Sequence, residues 1–186
     1  QAYGFIKAGM AKKCLVIGSD TLSRIVDEND RDSMIFADGA GATIIEKSNE
    51  KGGVLSHNTA SYTDDEVFYL FYGKSYNPNS EQKTKYIKMR GRKVYEFALT
   101  NVPAAMKECL DMADTDISEI KKILIHQANA KMDDAIVKRL YKLFNQEAPE
   151  KVMPLTVDRF GNSSVATVPT MFDLIVKNKL DDHNIK

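Results

Sequence analysis

Two short stretches of the sequence place hydrogen-bonding side chains where a ligand could meet them. His126 follows the apolar residues 123–125, so an imidazole stands at the end of a predicted strand, the position where α/β folds bind ligands. Asn162 follows Gly161, which permits a tight or left-handed backbone, and its carboxamide lies at a predicted helix start. Each feature alone also fits a structural role, as a buried histidine or a capped turn. The pair is more specific than either half.

Strands alternate with helices on both sides of these two residues, which predicts an α/β fold. Continuous apolar runs are typical of strands that are covered on both faces, and a 3.6-residue apolar period indicates helices. The predicted strands are 13–20, 41–47, 52–62 and 122–126, and the predicted helices are 1–9, 91–113, 130–144 and one that follows the turn at 161. The mixed polar and aromatic residues 63–85 predict a long loop or insertion.

The composition is that of an ordinary globular protein. Of the 186 residues 43% are apolar, and 26 Lys and Arg balance 26 Asp and Glu, so the charge indicates neither a nucleic-acid partner nor a membrane surface. No apolar run is long enough to span a bilayer, and two cysteines in apolar segments favour a reducing, cytoplasmic setting. Gln1 begins in a helical pattern without an initiating methionine, which predicts an excised piece of a longer protein.

Five motifs give the chain a resemblance that covers nearly its whole length. They are VIGSD at 16–20, DxxDR at 27–31, DGAGA at 38–42, HQAN at 126–129 and GNSSxAxxP from 161. In this order and at about this spacing they resemble the β-ketoacyl-acyl-carrier-protein synthase III family, the priming condensing enzymes of fatty-acid synthesis in the thiolase superfamily. The resemblance implies a truncated thiolase-like layered α/β fold. Residues 1–48 would end its N-terminal half, and residues 49–186 would form most of its C-terminal half.

The resemblance also implies an acyltransferase activity, that of a 3-oxoacyl-acyl-carrier-protein synthase III. In this family a cysteine takes an acyl group from coenzyme A, and malonyl on a carrier protein then loses carbon dioxide. His126 and Asn162 would donate hydrogen bonds to the enolate oxygen that forms. The implied partners are acyl-CoA, malonyl-acyl-carrier protein and a second copy of the enzyme, with no nucleic acid, no membrane and no cofactor apart from the coenzyme A thioester substrate.

Four further residues match the family's binding positions. Arg31 and Phe36 would contact coenzyme A and the acyl pocket, although the segment from Arg31 to Gly39 is one residue shorter than usual. Asn129 would line the pantetheine tunnel, unless it simply caps a helix. Lys131 would meet the acidic carrier protein, unless it is an ordinary solvated lysine.

The family's nucleophile is expected upstream of Gln1, because neither cysteine of this chain suits the role. Cys14 lies inside an apolar strand and Cys109 on the apolar stripe of a helix, where thiols are usually inert. We therefore expect the chain by itself to be inactive in condensation.

Three other interpretations stay open from the sequence. The protein could be a synthase III-like enzyme of secondary metabolism, a cysteine hydrolase using Cys109, His126 and Asn162, or a non-catalytic binding module. The DGAGA glycines lack the spacing of a nucleotide loop and predict close backbone packing instead. The basic run 83–93 is interpreted as a solvated surface, and no histidine or cysteine has metal-ligand spacing.

Overall fold

The computed structural model describes residues 1–81 and 83–180, and helices account for most of the ordered elements. The α-helices are α1 Ala2–Lys7, α2 Gly91–Met112, α3 Ala130–Lys142, α4 Val157–Phe160 and α5 Thr167–Val176. Single 3₁₀ turns occur at Leu22–Arg24, Arg31–Ile35, Asp65–Phe68, Ile117–Glu119 and Ser164–Ala166. The strands are β1 Lys13–Asp20, β2 Gly39–Glu46, β3 Leu70–Gly73 and β4 Tyr86–Met89. Within the described part of the chain, no helix is long and apolar enough to cross a bilayer.

The first sheet is an antiparallel pair of the two predicted strands, β1 and β2, with Gly18 opposite Gly41. Leu15, Ile17 and Ile44 on this pair are 63%, 64% and 68% exposed. The prediction that both strands are covered on both faces is therefore wrong for the described residues. A continuous apolar run indicates that a strand is suited to burial on both faces. Whether it is buried depends on other elements that pack against it.

The second sheet pairs β3 with β4 and lies partly inside the predicted loop 63–85. That segment also contains the 3₁₀ turn Asp65–Phe68, so its prediction as a loop is only partly correct. β4 was not predicted, because it lies within a run of basic residues that indicated a solvated surface. Lys88 in the middle of β4 is only 2% exposed, so the interpretation of the whole run as solvated is also wrong.

Two predicted strands do not form. Residues 122–126 have no regular secondary structure. Ile123 is buried and donates its N–H to the Val152 carbonyl at 2.9 Å, but no ladder follows among the described residues. Residues 52–62 are instead held to α2 by side chains: Ser56 Oγ donates to the Cys109 carbonyl at 2.7 Å, and Asn58 Nδ2 donates to a Glu108 carboxylate oxygen at 2.6 Å. Apolar periodicity predicts burial, whereas a strand also needs a paired neighbour.

The main core lies where α3 packs against α2 and residues 122–126. α3 buries Met132, Ile136, Val137 and Leu140, which recur with a helical period in the sequence. Full burial of each large apolar side chain contributes about 1.5–3 kcal/mol. The two central clusters consist of Ile117, Ile123, Val137, Leu140, Tyr141 and Val152, and of Leu99, Met132 and Ile136. This core fixes the start of α3, which directly follows the sequence HQAN.

Candidate active site

A strained turn places Asn162. Gly161 ends α4 at φ +63°, a left-handed backbone that favours glycine, and an added Cβ would lie 3.0 Å from the Ala37 Cβ. The Asn162 N–H donates to the Ile35 carbonyl at 2.7 Å, and the Ala37 N–H donates to the Asn162 carbonyl at 2.9 Å. Asn162 is thus fixed by its backbone against the segment that follows the 3₁₀ turn Arg31–Ile35.

The side chain of Asn162 is buried and has a defined orientation. Its Oδ1 accepts a hydrogen bond from the Ser164 N–H at 3.0 Å, and the residue is 7% exposed. Ser164 has φ +53°, which is uncommon for a residue other than glycine and often marks a functional site. No described side chain or carbonyl accepts from Asn162 Nδ2. The donor end of the carboxamide therefore remains available for a ligand.

His126 lies against the same turn. Its Nδ1 is 3.5 Å from the Thr167 hydroxyl oxygen, and the Ser164 backbone lies close enough to the ring to affect its pKa. One side of the residue stays open to solvent. Desolvation by the surrounding protein lowers the pKa of His126 below its usual 6.5, and the nearby Ser164 backbone opposes this only in part. The imidazole is consequently mostly neutral at pH 7 and carries one ring N–H.

The two predicted site residues therefore meet at Ser164. The Ser164 N–H donates to the carboxamide of Asn162, and the Ser164 backbone lies near the imidazole of His126. They come from distant parts of the sequence, and only the packing of the 162–167 turn beside the end of residues 122–126 brings them together. An imidazole N–H and a carboxamide N–H held in this way can stabilise one negatively charged oxygen.

Sequence reasoning missed the residues that support this pair. Gln127 is fully buried, its Oε1 accepts from the Thr156 N–H at 3.0 Å, and its Nε2 donates to the Pro154 carbonyl at 3.4 Å. The hydroxyls of Ser163 and Thr167, both buried, are 3.3 Å apart. Gln127 could have been identified from alternation, because the residue after His126 in an extended segment points to the opposite side.

Arg31 and Phe36 stand at the two ends of one 3₁₀ turn. Arg31 is exposed at its start, and Phe36 follows its end, half-buried and bridged through its backbone to Asn162. The structure therefore brings Phe36 beside the candidate site and leaves Arg31 one short helix away. Their proposed contacts with coenzyme A remain predictions.

The start of α3 holds the other two predicted residues. Asn129 caps the helix, because its Oδ1 accepts from the Met132 N–H at 2.9 Å. The structural alternative for Asn129 is thus observed, and only its Nδ2 remains for a pantetheine group. Lys131 is exposed in the first turn, which fits both a docking contact and an ordinary solvated lysine.

Asp133, one turn into α3, is a buried carboxyl group. It has no exposed surface, and no hydrogen bond of ordinary geometry reaches either carboxylate oxygen. Desolvation raises the pKa of Asp133 to about 6, although the backbone N–H groups of Ala128 and Asn129 act in the opposite direction.

The glycines of the DGAGA motif allow the site to pack closely, as predicted. A Cβ added to Gly41 would lie 2.5 Å from Pro169 Cγ, and one added to Gly39 would lie 2.9 Å from Ser163 Cβ. A Cβ added to Gly18 on the neighbouring strand would lie 2.9 Å from the Val165 carbonyl oxygen. The β1–β2 sheet is therefore the surface on which the 163–169 segment lies.

Neither cysteine lies with the candidate pair. Cys109 lines an apolar groove of about 510 Å³ between α2 and residues 122–124, and neither His126 nor Asn162 borders that groove. Cys14 sits on β1, where its thiol is 3.9 Å from the Ala2 carbonyl. A hydrolase triad of Cys109, His126 and Asn162 is thus not assembled. Across residues 1–81 and 83–180, no three His, Cys, Asp or Glu side chains are grouped to hold a metal.

Known proteins are similar to this chain over most of its length. The family described as 3-oxoacyl-[acyl-carrier-protein (ACP)] synthase III matches residues 1–63, and the description of its C-terminal part matches residues 110–184. A β-ketoacyl-[acyl-carrier-protein] synthase III from Erythrobacter litoralis is 37% identical over 95% of this chain and 54% of its own length. The chain spans about half the length of the curated relatives it matches.

Solved structures agree with the sequence matches. A β-ketoacyl-[acyl-carrier-protein] synthase III from Thermus thermophilus has a TM-score of 0.80 at 28% identity, over 98% of this chain and 56% of its own. The priming β-ketosynthase of the R1128 polyketide biosynthetic pathway has a TM-score of 0.76 at 25% identity, over 96% of this chain and 53% of its own. These similarities confirm the predicted thiolase-like α/β fold.

Proposed function

The chain belongs to the 3-oxoacyl-[acyl-carrier-protein] synthase III family, and on this premise we propose that it supplies the oxyanion-binding groups of a priming condensing enzyme. The observation that supports this is that His126 and Asn162 both lie beside Ser164, and that no described residue accepts a hydrogen bond from Asn162 Nδ2. A nucleophilic cysteine would come from a longer parent enzyme of which this chain would be a part, and would lie upstream of Gln1. Residues 1–48 and 49–186 would belong to its N-terminal and C-terminal halves.

The proposed reaction follows from what these two groups can do. A cysteine thiolate first attacks acyl-CoA, and coenzyme A leaves as its thiol. In malonyl-carrier the bond from C2 to the carboxylate then breaks, CO₂ leaves, and the electron pair moves onto the thioester oxygen. The N–H groups of His126 and Asn162 stabilise this enolate. Its carbon attacks the acyl-cysteine, and the thiolate is released as the 3-oxoacyl product forms.

The remaining proposed contacts concern the substrates. The exposed guanidinium of Arg31 would bind a phosphate of coenzyme A, and Phe36 would border the acyl chain beside Asn162. The Asn129 Nδ2, which is not needed for the helix cap, would donate to pantetheine. We further infer a cytoplasmic setting, since both cysteines are free thiols. The family membership is the ground for proposing a homodimer that uses no metal or organic cofactor.

The test is a complete reaction. The full-length parent enzyme, given radiolabelled acetyl-CoA and malonyl-acyl-carrier protein, is expected to release CO₂ and to form 3-oxobutanoyl-carrier. Release of free acetate or malonate without a condensed product would contradict the proposal and favour a hydrolase. Absence of any turnover and of any substrate binding would favour the non-catalytic module.

A related enzyme of secondary metabolism is the second candidate, and the similarity to a polyketide priming ketosynthase favours it. The two candidates differ in the acyl primer. Competition between acetyl-CoA and longer or branched acyl-CoA substrates in the parent enzyme distinguishes them. A strong preference for a primer that fatty-acid synthesis does not use would favour secondary metabolism.

Reversing the charge of Lys131 tests the docking of the carrier protein. In the parent enzyme, Lys131→Glu is expected to raise the KM for malonyl-carrier by about tenfold and to leave the KM for acyl-CoA unchanged, because a lost interfacial charge pair costs on the order of 1–2 kcal/mol. Lys142→Glu, also exposed but at the far end of α3, is the control and should change neither KM. Equal effects of Lys131→Glu on both substrates would argue against docking.

The isolated 186-residue chain is expected to resist acylation by acyl-CoA. Cys14 lies on β1 and Cys109 in the α2 groove, and within the described residues neither thiol is hydrogen bonded to a histidine or a carboxylate that could activate it. Incubation with radiolabelled acetyl-CoA, followed by intact-mass measurement, should show the unmodified chain. Stoichiometric labelling that hydroxylamine removes from Cys14 or Cys109 would overturn this prediction.

A further inference from the structure

Lys88 on β4 is a buried cation held by two carboxylates. Its Nζ donates to Asp27 Oδ2 at 2.6 Å and to Asp30 Oδ2 at 3.0 Å, and its side chain is 1% exposed. The same Nζ lies 3.5 Å from the centre of the Tyr76 ring. Lysines are rarely buried and then almost always paired, as Lys88 is. Lys88 therefore has a structural role that a solvated surface lysine does not have.

The cluster is fully hydrogen bonded and stays charged. Asp27 also accepts from the Tyr76 N–H at 2.7 Å, from the Ser75 hydroxyl at 2.9 Å and from the Asn29 N–H at 3.1 Å. Burial alone would raise the pKa of Asp27, but the hydrogen bonds from Lys88, Tyr76, Asn29 and Ser75 outweigh it and lower the pKa. The ion cluster is therefore a rigid attachment point at neutral pH.

Asp30 connects this attachment point to the 3₁₀ turn Arg31–Ile35. One carboxylate oxygen accepts from Lys88, and the other accepts from the Asp32 N–H at 3.0 Å and so caps the turn. A cap satisfies one of the free N–H groups at a helix start and fixes its direction. The position of Lys88 thus sets where the turn begins.

The far end of the same turn holds Asn162. The Ile35 carbonyl accepts from the Asn162 N–H at 2.7 Å, and the Asn162 carbonyl accepts from the Ala37 N–H at 2.9 Å. At a rise of about 2 Å per residue, the turn spans about 10 Å. One chain of short bonds therefore leads from Lys88 through Asp30 to the backbone of Asn162.

We propose that Lys88 is a positioning residue, which sets the location of the Asn162 carboxamide through Asp30 and the 3₁₀ turn Arg31–Ile35. The inference rests on the proposed function, because the position of the Asn162 carboxamide affects the reaction only if its Nδ2 donates to the enolate oxygen. Donors to an oxyanion act only when they are held within about 0.5 Å of the productive geometry. Lys88 touches neither the substrate nor the reacting atoms.

Two variants test the connection, with a surface ion pair as the control. Asp30→Asn keeps the capping oxygen and removes the charge that Lys88 binds, and Lys88→Met removes the cation itself. Asp111→Asn breaks the exposed Lys107–Asp111 pair on α2 and is the matched control. Asp30→Asn is the milder change and keeps the test valid if Lys88→Met does not fold.

The first measurement is amide hydrogen exchange in the 186-residue chain. In both test variants the amides of Asn162 and Ala37 are expected to exchange about tenfold faster, while the amide of Ile136 in α3 keeps its rate. The second is malonyl-carrier decarboxylation by the parent enzyme, where kcat should fall about tenfold with the KM for malonyl-carrier unchanged, the sign of a displaced transition-state contact. The control should change neither.

Each result decides between the two proposals. Unchanged exchange at Asn162 and Ala37 in Asp30→Asn would overturn the connection from Lys88. Faster exchange with a normal kcat would overturn the role of Lys88 in catalysis. A normal kcat in Asn162→Ala would instead contradict the proposed function, whatever the exchange rates show.

Discussion

Replacing Asn162 with aspartate in the parent enzyme is expected to lower kcat for malonyl-carrier decarboxylation by about 10²–10³-fold, the usual effect of losing one oxyanion donor. Aspartate has the shape of asparagine, and its carboxylate can still accept from the Ser164 N–H that now holds Oδ1. It lacks the Nδ2 donor and adds a negative charge beside the enolate. The change therefore removes the proposed function with little change in the fold.

Two controls separate the lost donor from the added charge and from misfolding. Asn162→Ala should lower kcat by a similar factor, because the donor is lost without a new charge. Acylation of the parent enzyme by acyl-CoA should proceed at the normal rate in both variants, since that step forms no enolate. Equal loss of acylation and decarboxylation would indicate general disruption of the site, and no loss of decarboxylation would exclude Asn162 as the donor.

Replacing Gly41 with alanine should destabilise the 186-residue chain by about 1–3 kcal/mol, the usual range for an extra methyl group in a packed interior. The new Cβ would lie 2.5 Å from Pro169 Cγ, a distance that real Cβ contacts essentially never show. Either the β1–β2 sheet or the 163–169 segment has to move. The measurement is the free energy of unfolding in urea.

Gly4→Ala is a control with the opposite sign. Gly4 lies in α1, and an added Cβ would meet nothing within 4 Å, so alanine should stabilise the helix by up to about 1 kcal/mol. If Gly41→Ala were as stable as the unmodified chain, the close contact between sheet and segment would not be a constraint. We also expect Gly41→Ala to slow decarboxylation in the parent enzyme, because the displaced segment begins beside Asn162.

Local features were predictable from the sequence, and features that depend on tertiary contact were not. The start of α3 at Asn129 and its apolar face follow from capping and periodicity, which act within a few residues. The strand predicted at 122–126 was wrong. Ile123 is buried and the residues on either side of it are half-buried, but no strand among the described residues pairs with them. Burial and pairing give the same apolar pattern in a sequence.

The candidate site was predictable only in part. The family resemblance identified His126 and Asn162, but no local rule indicates that both would lie beside Ser164. Lys88 was hidden within a basic run, since a lysine of an exposed run and a lysine buried against Asp27 look alike in a sequence. Gln127 and Thr167 support the site through contacts with segments far along the chain, which composition and spacing do not encode.

The buried Asp133 couples the folding of α3 to proton uptake. An unfolded aspartate has a pKa near 3.9, and the folded one about 6, so between these values the folded chain binds a proton that the unfolded chain has lost. The stability that this difference provides is complete below about pH 4 and is lost as the pH rises through about 6, and it amounts to on the order of 2–3 kcal/mol. Near neutral pH the helix that follows His126 therefore carries a desolvated negative charge. Mild acid usually destabilises proteins, because it protonates paired carboxylates. At Asp133 it acts in the opposite direction, because protonation removes a buried and unpaired charge.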